Sequence, residues 1–431
     1  MKMISKKMLL SLSVVAATLI VVGGCNSSGG DTVTGDDSLP AWTSSLLDIN
    51  VTSAAQAISD YRFATEFVSD LSFTKLAPAL QEEQTVASTV DTLEQTIKEK
   101  FIGSHQSGAQ RSPSKIAQAP ADGTYQCGIS GDFVITTEDG AWGENGSYRR
   151  WTEEFHNCVD DGNGDLGASK CVIEDMEGNV TITGRCEEFS YEDDSYYEEE
   201  GLSYTNYLET WIADDASTYI IRVNLAGNMK DDYTQVDGME DGVYTNAILG
   251  GFNIQGRENA GSLAESSVTY EFKTYQRTEN YHYNMEAGHF TTNEMIDDGY
   301  VGVSIVDINA SGGEENNVGV GIYFVNTAAV DVYVDENVTN FTLNGKFGTA
   351  CLEGMVDFTT VETIVNDDAL EDACSGEKMP RDGKVRISGN GEAMGVFSLV
   401  SDHGELTITA GEEEEVFECW NDLPKCSDIN F

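Results

Sequence analysis

The stretch Asp160-Asp161-Gly162-Asn163-Gly164-Asp165 sets four hard-oxygen side chains on a loop that glycine allows to bend sharply. Calcium gathers about 6–8 oxygen ligands, so Asp160, Asp161, Asn163 and Asp165 form a candidate metal site and calcium the one cofactor the residues suggest. The spacing departs from an EF-hand. Counted from Asn157, Val159 stands where an oxygen ligand belongs, and Ala168 where the closing glutamate belongs. The same acids also suit a solvated hairpin turn. Two further acidic runs, Glu187 to Glu200 and Glu412 to Glu415, read as solvated loops or as surfaces for a cation or a basic partner. Tyr191, Tyr196 and Tyr197 lie within the first run, and their rings offer contact area to a sugar or a peptide.

Other chemistries find little support. The histidines at 105, 156, 282, 289 and 403 include no i, i+4 pair and no HExxH. There is no GxSxG elbow. Ser72-Phe-Thr-Lys75 and Ser112-Pro-Ser-Lys115 match SxxK, but the companion motifs of that chemistry are missing. Carboxylate pairs for glycoside hydrolysis are conceivable in a chain with 74 acids, yet spacing singles none out. No catalytic residue is assigned. The 24 Lys and Arg leave a net charge of −50. Such a field repels nucleic acid and anionic lipid and favours cationic partners, or serves solubility in a salty habitat. With 40% hydrophobic residues the chain has material for a packed core.

The N-terminus carries a second kind of chemistry. Lys2, Lys6 and Lys7 precede an apolar run from Met8 to Val22, too short to span a bilayer comfortably, and Val22-Gly23-Gly24-Cys25 follows. These residues resemble a bacterial lipoprotein signal with its lipobox. The resemblance covers the signal alone. It implies cleavage before Cys25, acylation of Cys25, and attachment to the membrane through the lipid. It also implies the outer membrane, because Asn26 rather than aspartate follows the cysteine; which face is open. With Cys25 set aside, eight cysteines remain in an exported chain and suggest four disulfides. The local pairing expected is Cys127–Cys158, Cys171–Cys186, Cys351–Cys374 and Cys419–Cys426.

The elements that would carry these residues follow in order. Residues 1–24 are the signal. The lipidated Cys25 starts a segment to residue 50 whose polar start, Asn26 to Pro40, reads as a tether. A short helical hairpin is expected over 51–102, with Ala54, Ile58, Tyr61 and Ala64 on one stripe and Val86, Val90, Leu93, Ile97 and Phe101 on another. Residues 103–121 read as a linker. From 122 to 431 the alternation is β. Asp122-Gly123, Asp237-Gly238, Asp241-Gly242, Asp298-Gly299, Asn344-Gly345 and Asp382-Gly383 predict turns. Five strands are expected to end at Gly184, Gly227, Gly256, Gly345 and Gly389. No proline interrupts the chain between Pro120 and Pro380, which permits long ladders.

The fold class expected is therefore mainly β: a large antiparallel meander, as a sandwich or a curved open sheet, after a short α-helical hairpin, in one body or in two β subdomains that divide near 310–317. The function expected is a lipid-anchored envelope or surface protein that binds or scaffolds without catalysis, its partner a protein or a glycan and not nucleic acid. The alternatives are a calcium- or cation-dependent glycan-binding module and a carboxylate-based hydrolase.

Overall fold

A computed structural model describes residues 39–70, 89–90, 92–94, 97, 121–142, 146–173, 178–192, 197–213, 216–236, 239–259, 262–284, 289–309, 311–333, 338–367, 370, 378–401 and 403–424. The signal, Cys25, most of the tether and linker, Cys374 and Cys426 lie outside them.

Residues 123 to 417 form one antiparallel sheet of 16 strands in strict sequence order. The strands are β1 (Gly123–Gln126), β2 (Ser130–Trp142), β3 (Gly146–Asp160), β4 (Gly178–Glu192), β5 (Tyr197–Ala213), β6 (Thr218–Val236), β7 (Met239–Arg257), β8 (Glu265–Asn284), β9 (His289–Ile308), β10 (Glu314–Tyr333), β11 (Val338–Thr349), β12 (Gly354–Asp367), β13 (Asp382–Gly389), β14 (Gly391–Val400), β15 (His403–Ala410) and β16 (Glu413–Phe417). The central strands reach 20 residues and the edges only 4 and 5. Short edges leave few unpaired backbone groups for another chain to join. The sheet is open: β1 and β16 are its two ends. The 310–317 stretch, a possible subdomain boundary in the sequence, is the β9–β10 turn and the first residues of β10 within that one sheet.

One face of the sheet wraps the helical segment. Helix α1 (Val51–Asp70) begins at a reciprocal cap: Asn50 Oδ1 accepts from the Ser53 amide at 2.9 Å and Ser53 Oγ accepts from the Asn50 amide at 2.9 Å. Ala54, Ala55, Ile58 and Tyr61 are buried, as are the helical residues Val90, Leu93 and Ile97. The core runs without a break from Phe133 on β2 to Phe417 on β16 and includes these helical residues. Tyr61 meets the Phe347 ring edge-on at 5.3 Å. A 3-10 turn, Ala41–Ser44, packs Trp42 against Tyr300, Tyr323 and Met355 in a smaller second cluster.

Register in such long strands is set by the buried apolar alternation, and polar pairs face one another across it. His156 faces Asp132, Arg150 faces Glu138, Arg149 faces Asp139, Arg257 faces Glu265, His282 faces Asp241 and Lys384 faces Glu362. A slip of one residue would separate every such pair and turn the apolar positions outward.

Of the five glycines expected to end strands, Gly389 closes β13 and Gly256 stands one residue before the end of β7. Gly184, Gly227 and Gly345 sit inside β4, β6 and β11. At Gly184 and Gly345 the backbone takes φ of 101° and 125° beside interruptions of the ladder, so they form bulges that bend the sheet. Asp241-Gly242 and Asp298-Gly299 also lie within strands, not in turns.

Candidate functional site

The acidic loop after β3 is stapled to the turn between β1 and β2. Asp160 is 1% exposed; its Oδ2 accepts from the Gly128 amide at 2.7 Å and its Oδ1 from the Gly162 amide at 2.6 Å. Asp161 Oδ1 accepts from the Asn163 amide at 3.2 Å, and Asp165 Oδ2 from the Gln126 amide at 3.2 Å. A Cβ on Gly164 would lie 2.0 Å from Asp160 Oδ2 and 2.3 Å from the Gly128 amide nitrogen, so only glycine permits this approach. The Cys127–Cys158 disulfide closes the same corner. The carboxylates expected for calcium thus serve backbone amides. Among the described residues no three His, Cys, Asp or Glu side chains gather into a metal-holding group.

Beyond this loop the chain passes under β3–β5, where Cys171–Cys186 pins it. An irregular segment laid against a sheet has amides and carbonyls that need partners. Two glutamates, each 0% exposed, supply them. Glu153 accepts from the Lys170 amide at 2.9 Å and from Ser169 Oγ. Glu209 accepts from the Ile173 amide at 3.1 Å, Tyr207 Oη at 2.5 Å and Trp211 Nε1 at 2.6 Å. Tyr204 donates to the Cys171 carbonyl at 2.9 Å. Burial, then the Glu209 charge, holds the phenols of Tyr204 and Tyr207 well above their ordinary range, so both remain donors. Lys170 lies 3.7 Å from the centroid of the Trp151 ring, and burial lowers its pKa. This is the deepest constellation of acids and aromatics on β3–β5. Its acceptors are taken by the chain itself, which makes it a clasp for the 169–173 segment. Cys351 and Cys419 are also disulfide-bonded, to cysteines outside the described residues.

The opposite face of the same strands is different. Tyr148 and Tyr191 stand directly opposite across β3 and β4, and strand alternation puts Trp142, Phe189 and Tyr197 on that face with them. All five rings are half-buried. Trp142 stacks on Tyr197 at 4.7 Å and 28°; Tyr191 lies 5.9 Å from Tyr148 and 5.4 Å from Phe189. Glycine makes the band possible. Gly140 lies directly opposite Tyr148 and Gly201 directly opposite Phe189. A Cβ on Gly140 would come within 2.4 Å of the tyrosine ring, and one on Gly201 within 2.2 Å of the phenylalanine ring. Each ring therefore covers the backbone of a glycine and turns a side to solvent. Tyr148 Oη donates to Glu138 at 2.9 Å, and Tyr197 Oη donates to Glu199 at 2.5 Å. The Glu138 bond raises the Tyr148 pKa.

The sequence picked out Tyr191 and Tyr197 but not Trp142, Tyr148 or Phe189; Tyr196 lies outside the described residues. The missing signal was the cross-strand match of aromatic to glycine, legible only once register is known. His156 is on this face too, with Nδ1 2.7 Å from Asp132 and Nε2 3.6 Å from Glu154, and the Asp132 bond raises its pKa. His282 lies 2.5 Å from Asp241, on other strands.

No family model, no curated protein and no solved structure matches this chain.

Proposed function

We propose that this protein is an exported, lipid-anchored envelope protein of the outer membrane that works by binding, with Cys25 as the acylated residue. One observation carries the binding reading. The solvent face of β2–β5 holds five half-exposed aromatic rings on a rigid sheet, whereas the buried glutamates Glu153 and Glu209 have their oxygens occupied by the protein's own backbone and side chains. Rigid aromatic side chains give contact area at little cost in entropy, the quality of a recognition surface. The two disulfides support the compartment, since such bonds persist outside the reducing cytosol.

The test of the anchor is labelling with a fatty-acid probe in a bacterial host, followed by membrane fractionation. Full-length protein takes up label and sediments with outer membranes. Cys25→Ser takes up none and leaves that fraction. Label retained by Cys25→Ser, or absent from the parent chain, contradicts the anchor.

A further inference from the structure

We infer that the aromatic band on β2–β5 is a binding platform for a neutral polysaccharide, an inference that rests on the binding reading above and names its ligand class. Three features of the band point to this chemistry.

The first is shape. Tyr148 and Phe189 lie across Gly140 and Gly201, so the band is a broad surface and not a cleft. A pyranose ring has an apolar side made of C–H bonds, and it stacks on the negative π face of an aromatic ring. Neighbouring rings 5.4–5.9 Å apart allow an extended chain to lie across several of them.

The second is charge. The protein carries −50 overall, yet three of its scarce cations gather on the band and nearly offset the acids beside the rings. Glu138 and Glu187 bracket Arg150 at 3.8 and 3.3 Å, Arg185 reaches Glu187 at 2.6 Å, and Lys230 lies 4.9 Å from the centroid of the Tyr197 ring beside Glu199. Four carboxylates, Glu138, Glu187, Glu199 and Asp232, stand beside three cations there, with Asp232 directly opposite Tyr197, and Glu154, Asp132 and His156 continue the same face. Glu188 and Glu200, on alternate positions of the same strands, belong to the other face. A cationic partner would find Glu138 and Glu187 already paired with arginine, and Lys230 set directly opposite Glu199. An anionic polymer would meet the field of the whole chain. A neutral ligand is subject to neither penalty.

The third is hydrogen bonding. Carboxylate and amide groups beside the rings are held in fixed positions: Glu138 by Tyr148 Oη, Glu199 by Tyr197 Oη and by Asn228 Nδ2 at 2.9 Å. Hydroxyl groups of a sugar can donate to the remaining lone pairs of these oxygens.

The experiment is affinity electrophoresis of the full-length protein, purified in detergent, in native gels cast with hydroxyethylcellulose, arabinoxylan or dextran. Alginate and polylysine serve as charged comparisons. At least one neutral polymer retards the protein. Trp142→Ala and Tyr197→Ala each weaken that retardation about tenfold, as loss of a central aromatic contact does. Leu399→Ala on β14, an exposed apolar residue away from the band, leaves it unchanged. Circular dichroism of each variant separates loss of the surface from loss of the fold. Retardation by none of the neutral polymers, or retardation that survives Trp142→Ala and Tyr197→Ala in folded protein, overturns the proposal. Binding confined to polylysine overturns it in favour of a cationic partner. None of these outcomes depends on acylation, so the anchor and the platform fail separately.

Discussion

Asp60 lies on α1 between the helix and the sheet and is 0% exposed. Its Oδ2 accepts from Thr349 Oγ1 at 2.8 Å, while Oδ1 has no hydrogen-bond partner. Burial raises its pKa from 3.8 to about 6, although the hydrogen bond from Thr349 pulls the other way. A carboxyl that titrates higher in the folded chain than in the unfolded one binds its proton more tightly when folded. Stability therefore falls as pH rises through the window from about 4 to about 6, and the full loss persists above it. Two units correspond to about 3 kcal/mol at neutral pH. Roughly half of that is already lost at pH 5, so about 1 kcal/mol separates pH 5 from pH 7.5. Asp60→Asn keeps an oxygen for Thr349 and removes the charge. Its amide hydrogens meet the same unpartnered position, which shifts the whole curve by a constant amount. The measured quantity is thus a slope: the stability of Asp60→Asn minus that of the parent, from urea unfolding followed by tryptophan fluorescence between pH 5 and 7.5. This range stays above the isoelectric point of about 4.1. The difference should grow by about 1 kcal/mol in favour of Asn across it. A difference that is flat with pH, or that moves toward Asp, refutes the reasoning about this carboxyl.

Other expectations are read from single sites. Gly201→Ala should destabilise the fold by about 1–3 kcal/mol, because its Cβ would strike the Phe189 ring, whereas Gly167→Ala, with nothing within 4 Å, should cost far less; thermal melts compare them. Glu209→Gln replaces one acceptor oxygen with a donor against Tyr207, Trp211 or the Ile173 amide, and should cost about 2–4 kcal/mol in chemical denaturation. The His156 titration followed by NMR should lie above the ordinary 6.5, and Asp132→Asn should bring it down; the stability this pair adds is present below that range and fades as pH rises through the His156 pKa.

The alternation in Phe133-Val134-Ile135 and Tyr219-Ile220-Ile221 was enough to read the β class and the absence of crossover helices, because side chains change face at every residue. The burial of Ala54, Ile58 and Tyr61 likewise followed from their helical spacing. The turns were not legible in the same way. Gly242 sits inside β7, directly opposite Tyr281, where a Cβ would come within 2.4 Å of the ring. Its neighbour Asp241 pairs with His282. Both residues of that Asp-Gly pair answer to the next strand, and local turn propensity is overridden by a cross-strand partner 41 residues away. Glu153 and Glu209 were hidden among 74 acids for the same reason, since their partners lie in a segment that only the fold brings beneath them.

The central claim is recognition without chemistry on the aromatic face of β2–β5. The most direct measurement takes the neutral polysaccharide that retards the full-length protein and follows the viscosity of its solution during long incubation with that protein. The account predicts a retained protein and a viscosity that stays constant, with retention lost in Trp142→Ala. A steady fall in viscosity would show cleavage of the polymer and contradict the claim.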